Sequence, residues 1–414
     1  MRLLIHDFAG HPFQVQLSRE LAARGHRVVH VTADGLAGPK GNLSPAADDI
    51  HDLVLRGVPL SRHFRKYSPW RRMLTQRQYA LALANIIAVE KPEVVISGNT
   101  PTDIQVYLLR FCRRNDIAFA HWVQDVYCRA LAFILRRRLG PLASAAAFPF
   151  QCLDKWVVRN SDAVVAISPG FLPLLQNWGA RGESLSVIEN WAPLNEIPPL
   201  PRCNPWSESL GLNGKPVFLY AGTLGLKHRP DLIYALAEAV AGKARVVVVS
   251  EGVGRLYLAN QPKLPNLMLL DFQPYEMLPE ILATADVLLA TLEVDAGAFA
   301  VPSKVLTYLC AGRPVLLASP SQNLAAEVVR RSGGGVVVEA GDALAWIEAG
   351  QKLAEDAEWR AALGVRARQY AEANFDIKNI ANQFEAVLSK AAEGHLHKQP
   401  KAPGHSTLSA TAGR

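Results

Sequence analysis

The chain has 414 residues, half of them apolar, and carries 44 basic against 37 acidic side chains for a net charge of +7. That length exceeds what one hydrophobic core serves, so two cores are expected. Five widely spaced cysteines, Cys112, Cys128, Cys152, Cys203 and Cys310, form no C-x-x-C pair; this excludes a disulfide framework and a zinc site and favours a reducing cytoplasm.

The N-terminus starts like a signal peptide, but His6 and Asp7 interrupt it after three apolar residues, so Arg2 to Ile5 reads as a first strand. A loop, His6 to Pro12, leads to an amphipathic helix with Phe13, Leu17, Leu21 and Ala22 on one face, ended at Gly25. Arg27 to Thr32 completes a β-α-β unit. Basic residues then cluster at Arg56, Arg62, Arg65, Lys66, Arg71, Arg72 and Arg77, and again at Arg110, Arg113, Arg114, Arg129 and Arg136 to Arg138. Such density attracts nucleic acid, anionic lipid or phosphorylated small molecules, or is a solvated helix face. Val94 to Ser97, Ala118 to Val123 and Ala163 to Ser168 are further short apolar strands, punctuated by glycine and proline. The uncharged runs Leu139 to Leu153 and Ala163 to Ala180 are broken by prolines and do not read as membrane spans.

Between Asn190 and Pro216 prolines crowd the chain, no helix is expected, and the segment reads as a linker. The β-α rhythm restarts with Val217 to Tyr220, a loop to Arg229, helix Pro230 to Val240 and strand Arg245 to Ser250; further strands are expected at Leu267 to Leu270, Val287 to Ala290, Val315 to Ala318 and Gly335 to Val338. The expected organisation is an α/β N-terminal domain over 1–195, a linker over 196–215, a second α/β domain over 216–375, a helix over 376–392 returning to the first domain, and a disordered tail over 393–414. In such sheets ligands bind beyond the carboxyl ends of the strands, so a cleft between two of them is the natural active site.

Two stretches carry the chemistry. In Tyr220-Ala221-Gly222-Thr223-Leu224-Gly225-Leu226-Lys227-His228-Arg229-Pro230 a buried strand gives way to two glycines, two cations and a helix-opening proline. Such a loop binds phosphate through backbone N–H groups and the helix dipole, with Lys227 and Arg229 as counter-charges; a plain β-α turn with surface cations explains it equally. Further on, Pro302 and Ser303 open a helix that Gly312 ends, so Ser303 and the N–H groups of Lys304, Val305 and Leu306 offer a second anion site; an ordinary capped helix is the alternative.

These stretches, G-T-L-G…P-S-K-V-L-x-Y-L-x-A-G-R-P-V, resemble the donor domain of retaining GT-B glycosyltransferases of family 4 (glycosyl transferases group 1), in the branch that assembles bacterial envelope polysaccharides. Leu21 to Val28 and Val187 to Ala192 are similar to segments of that fold's N-terminal domain. The resemblance implies two doubly wound Rossmann-like domains facing each other across a cleft. It places Gly222, Thr223 and Gly225 against donor phosphates, with Lys227 or Arg229 on the diphosphate. Ser250 and Gly252 would lie near the nucleotide, Phe272 and Gln273 at the base, and Ser303, Lys304, Val305, Leu306 and Thr307 at the phosphates and sugar. On the acceptor side it places Gly10 and His11, with His121 at the donor sugar and Asp125 orienting or deprotonating the acceptor. The family's glutamate pair is replaced by Phe299 and Thr307, with Glu293 and Asp295 nearby.

The expected function is transfer of a UDP- or GDP-sugar's glycosyl group to a glycan or lipid-linked acceptor, retention being implied by the resemblance. With no D-x-D pair and no His/Cys ligand cluster, no metal or cofactor is expected. Tyr127 to Trp156, with Phe133, Ile134, Leu135, Arg136 to Arg138 and Phe148 to Phe150, would rest on an anionic membrane or form an ordinary helix-loop-helix. Rival readings are a UDP-amino-sugar epimerase of the same fold and a basic nucleic-acid binder. Against the latter, no recognition motif or aromatic platform is present, so no nucleic-acid partner is expected.

Overall fold

The computed structural model describes residues 1–397 apart from 36–40, 46–48, 61–68, 130, 133–134, 136–139, 226 and 295–302, and describes the backbone only at 69–74 and 141. Arg62, Arg65, Lys66, Phe133, Ile134, Arg136 to Arg138, Leu226, Asp295, Phe299, Pro302 and the tail from residue 398 therefore lie outside the described residues, as do the side chains of Arg71 and Arg72.

The first half forms β1 (Arg2–Asp7), α1 (Pro12–Ala23), β2 (Arg27–Asp34), β3 (Leu53–Pro59), α2 (Pro69–Glu90), β4 (Val94–Gly98), α3 (Thr102–Arg114), β5 (Ala118–Val123), α4 (Ala143–Asn160), β6 (Ala163–Ala166), α5 (Leu172–Asn177) and β7 (Leu185–Val187). The second forms α6 (Pro205–Ser209), β8 (Val217–Ala221), α7 (Pro230–Ala239), β9 (Arg245–Val249), α8 (Val253–Ala259), β10 (Leu267–Leu270), α9 (Leu278–Thr284), β11 (Val287–Thr291), α10 (Lys304–Cys310), β12 (Val315–Ala318), α11 (Leu324–Ser332), β13 (Gly335–Val338), α12 (Ala343–Glu355), α13 (Ala357–Asn374) and α14 (Ile377–His397). Both sheets are parallel, in the orders β3-β2-β1-β4-β5-β6-β7 and β10-β9-β8-β11-β12-β13. This is the doubly wound two-domain architecture expected. Strand order reverses between β1 and β4 in one sheet and between β8 and β11 in the other, which are the points where open α/β sheets hold ligands.

The central strands are buried on both faces and read as continuous apolar runs, as in Val246 to Val249. Edge strand β3, LVLRGVP, is only partly buried and interrupted by Arg56 and Gly57, and gave no such signal. The linker differs from its expectation. Pro205 opens the short helix α6, at the first helical position where its missing N–H costs nothing. Asn204 caps it in a reciprocal capping box with Ser207, and Trp206 is buried. The chain's end differs too: α14 runs through His397, so residues 393–397 are helical rather than part of a disordered tail.

That last helix packs on the N-terminal domain. Phe384 meets Trp122 at 4.7 Å between ring centroids, and Trp191 stacks on Trp122 at 5.9 Å. Arg24 bonds Asn382 and Glu385, and His26 reaches Glu385 at 2.7 Å. One hydrophobic cluster consequently runs from β1 and α1 through α14 into β8, β9, β11 and β12 of the second domain. Among the described residues no helix is long and apolar enough to cross a membrane.

Candidate active site

At the carboxyl end of β1, Asp7 is fully buried and organises the loop that follows. Its Oδ1 accepts the N–H of Ala9 at 3.0 Å, its Oδ2 accepts the N–H of His11, and the His11 ring lies 3.3 Å from Oδ1. Gly10 takes φ +79°, which glycine adopts without a side-chain penalty, and Pro12 then opens α1. Asn99, after β4 and itself at φ +50°, brings its amide to 3.1 Å from Nδ1 of His11. Burial draws the His11 imidazole down, but the charge and hydrogen bond of Asp7 and the charge of Asp125 outweigh it, so its pKa lies above the usual value. Beneath the loop, His6 bonds Ser97 at 2.8 Å and Tyr79 at 2.9 Å, and burial takes it down to about 3.

His121, on β5, is half-buried, and among the described residues its Nδ1 has no hydrogen-bond partner. Burial lowers it to about 4, so it is a neutral imidazole near pH 7. With Gln105, Asp154 and Asp125 it lines a cavity of about 30 Å³, room for a water or two rather than a sugar. Asp125 follows at the strand end, open to water on the cleft side. Its desolvation raises it, against the charges of Lys227 and His11, which pull it down. The three groups therefore share one field, although Lys227 belongs to the other domain. Behind them, Gln124 and Asn190 pair their amides at 3.0 and 2.6 Å and tie the strand end to the chain leaving this domain.

The second domain faces this wall with the loop after β8. Gly222 sits at φ +121° and donates to Val249 O at 3.0 Å, and Leu224 donates to Glu251 O at 2.9 Å. Gly254 donates back to Leu224 O at 2.8 Å, locking the turn at Ser250 to Gly254 under the loop; Ser250 is fully buried and Gly252 takes φ +104°. Thr223 is half-buried, and its carbonyl accepts the Tyr220 hydroxyl at 2.9 Å. Gly225 donates to Nδ1 of His228 at 3.0 Å, which requires an unprotonated nitrogen; burial, then the charge of Lys304, hold that ring down to about 3. Phe272 is half-buried, and Gln273 turns its amide onto Asp271 O at 2.9 Å.

Three expectations change at this loop and at the start of α10. Arg229, read as a counter-charge, forks onto Asp231 through Nε and Nη2 and donates Nη1 to Ala340 O at 2.8 Å, so its guanidinium is already spent. Ser303 is in helical conformation and its side chain caps nothing. Val305 and Leu306 turn their side chains into the core, and the N–H groups of Leu306 and Thr307 bond Ser303 O at 3.1 and 3.4 Å, so neither is free for an anion. Lys227 and Lys304 remain. Lys227 is exposed and its carbonyl accepts the Glu293 N–H at 2.7 Å. Lys304 leans back across 84 residues of sequence onto Tyr220. Sequence reading missed Asp7, Asn99, Tyr220 and His228. Only Asp7 left a local trace, a carboxylate closing an otherwise buried strand. Among the described residues no three His, Cys, Asp or Glu side chains gather as metal ligands.

The chain matches the family described as Glycosyl transferase 4-like domain over residues 11–191 and Glycosyl transferases group 1 over residues 215–356. No curated protein sequence matches it. Solved structures resemble it along their whole length. Sucrose-phosphate synthase from Thermosynechococcus elongatus has TM-score 0.70 at 16% identity, covering 94% of this chain and 98% of that one. The α,α-trehalose 6-phosphate synthase of Burkholderia multivorans has TM-score 0.68 at 10% identity, covering 97% and 99%. Anabaena HepE, in complex with UDP and glucose, has TM-score 0.67 at 15% identity, covering 94% and 99%. At such identities the likeness is one of fold. With both domains matched by their own families, the chain belongs to the GT-B glycosyltransferases that pair a 4-like N-terminal domain with a group 1 C-terminal domain.

Proposed function

We propose that the protein transfers a sugar from a nucleotide-diphosphate donor, a UDP-sugar before a GDP-sugar, to a glycan or lipid-linked acceptor in bacterial envelope polysaccharide assembly. The observation that carries this reading is that Asp125 lies within electrostatic reach of both His11 and Lys227, between the switch points of two Rossmann-like sheets. HepE, of the same fold, is known in complex with UDP-glucose, which supports a UDP-sugar here.

In this reading the diphosphate lies on the loop from Gly222 to Lys227, and the base lies near Ser250, Gly252, Phe272 and Gln273. His121, neutral, hydrogen-bonds the donor sugar. Gly10 and His11 face the acceptor, and Asp125 orients its hydroxyl. The acceptor oxygen bonds the anomeric carbon as the bond to the diphosphate oxygen breaks. The hydroxyl proton passes to the leaving phosphate, whose growing charge fixed cations and dipoles stabilise. Retention of configuration follows from the family resemblance, and no metal is invoked. Leu142 and Phe148, 70% and 59% exposed beside a basic segment, suit contact with an anionic inner membrane from the cytoplasmic side.

The test is thermal-shift binding with UDP, GDP, ADP, NAD and a panel of UDP- and GDP-sugars, all in EDTA. UDP or GDP should raise the melting temperature, and one nucleotide sugar should raise it further. Absence of any shift would remove the transferase reading. The anomeric proton coupling of the product then decides between retention and inversion.

A further inference from the structure

Three cations border the loop after β8, two from the loop itself and Lys304 from the start of α10, and their surroundings are unequal. Arg229 is held by Asp231 and a carbonyl. Lys227 is exposed at the cleft, in the field of Asp125. Lys304 is half-buried, and among the described residues no carboxylate pairs with it. Its ammonium sits 3.7 Å from the centroid of the Tyr220 ring and touches the Tyr220 hydroxyl. That hydroxyl already donates to Thr223 O, which leaves its oxygen lone pair to face Lys304. A ring face and one hydroxyl replace little of the water an ammonium gives up, and among the described residues nothing neutralises it.

The place where an anion belongs is marked by Gly222. A Cβ there would lie 3.3 Å from Nζ of Lys304, so the bare face of this glycine and the ammonium border the same space. From the geometry we infer that Lys304, rather than Arg229, is the buried counter-charge for the donor's diphosphate, parked on Tyr220 until the phosphates arrive. This inference rests on the donor reading above and adds which charge does the holding. The cost of carrying an unpaired ammonium in the free protein is part of it, because binding removes that cost only for an anionic ligand.

The groups facing Lys304 are Tyr220 and His228, with Tyr308 adjoining Tyr220 and Lys227 further along the loop. His228 is unprotonated near pH 7, and burial lifts both tyrosines, so none of these three changes charge between pH 7 and 9. Burial brings Lys304 itself down to about 7. An anion that needs the ammonium should therefore bind less tightly as pH rises through that range.

Calorimetric titration of UDP, GDP and inorganic pyrophosphate into wild type, Lys304→Met and Arg229→Gln tests this. Lys304→Met should weaken all ligands that bind wild type by roughly tenfold or more, and abolish their weakening between pH 7 and 9. Without ligand the same variant should melt about 2 °C or more above wild type, because an unpaired charge has been replaced by an apolar group; that rise also shows that it folds. Arg229→Gln should keep affinity within about threefold, well inside one charged hydrogen bond. Nucleotide affinity unchanged in Lys304→Met, or lost only in Arg229→Gln, would overturn the inference and leave the donor reading standing. Pyrophosphate bound through Lys304 with no nucleotide bound would keep the anion site and remove the donor reading. A wild type that binds none of the three removes both.

Discussion

His6 and His30 bond hydroxyls in the N-terminal domain, and burial holds them at about 3 and about 4 against an ordinary 6.5. Between those values the unfolded chain takes up protons that the folded one refuses. Their contribution to stability is thus complete above pH 6.5 and declines as pH falls, with a slope of about 1.4 kcal/mol per pH unit for each group. For these two histidines, urea midpoints should drop as pH falls from 6.5 towards 4.5. A midpoint that stays level down to 4.5 would contradict the buried neutral state. His11 has the opposite sign: its raised pKa keeps it charged to higher pH, and any stability from Asp7 is lost as pH rises through that value. Asp7→Asn should lower the His11 midpoint by about one pH unit, read by NMR of labelled histidine. An unmoved midpoint would show that Asp7 does not govern the ring.

At the scale of elements, the strands were legible wherever both faces are buried, because a parallel strand between two helix layers reads as an unbroken apolar run. Edge strand β3 and helix α6 escaped for local reasons, an apolar run cut short by Arg56 and Gly57 in one case and a proline in a permitted position in the other. The glycine loop was legible as a loop, but its charges were not assignable. Arg229 is captured two residues away by Asp231, whereas Lys304 finds Tyr220 only through the packing of α10 against β8. His11 is set by Asp7 and by Asn99, just past the end of β4 and 88 residues away. The Gly222 loop also leans on α8. A Cβ at Gly254 would come within 2.5 Å of Leu224 Cγ and 2.9 Å of its carbonyl oxygen. Gly254→Ala should displace the loop and weaken UDP binding several-fold, on the scale of about 1 kcal/mol, while the protein stays folded. Full UDP affinity in that variant would mean that the loop is not braced there.

Across the whole molecule, α14 joins what the linker separates. Phe384 is fully buried between Trp122 and Trp191, and Phe384→Ala should cost about 3–5 kcal/mol. Because one cluster spans both domains, fluorescence and circular dichroism should report a single urea transition in wild type. A chain ended at Asp376 should show two. Coincident transitions in the shortened chain would mean that the linker alone couples the domains.

The position of that helix also governs the order of synthesis. The first domain leaves the ribosome with Phe13, Trp122 and Trp191 assembled but uncovered, and the helix that covers them is made only after the entire second domain. For the time it takes to translate residues from Ala192 to the end of α14, an aromatic surface of the nascent chain stands open to water. A protein built this way depends on nascent-chain holdases more than its finished stability suggests, and its aggregation during expression should track elongation rate.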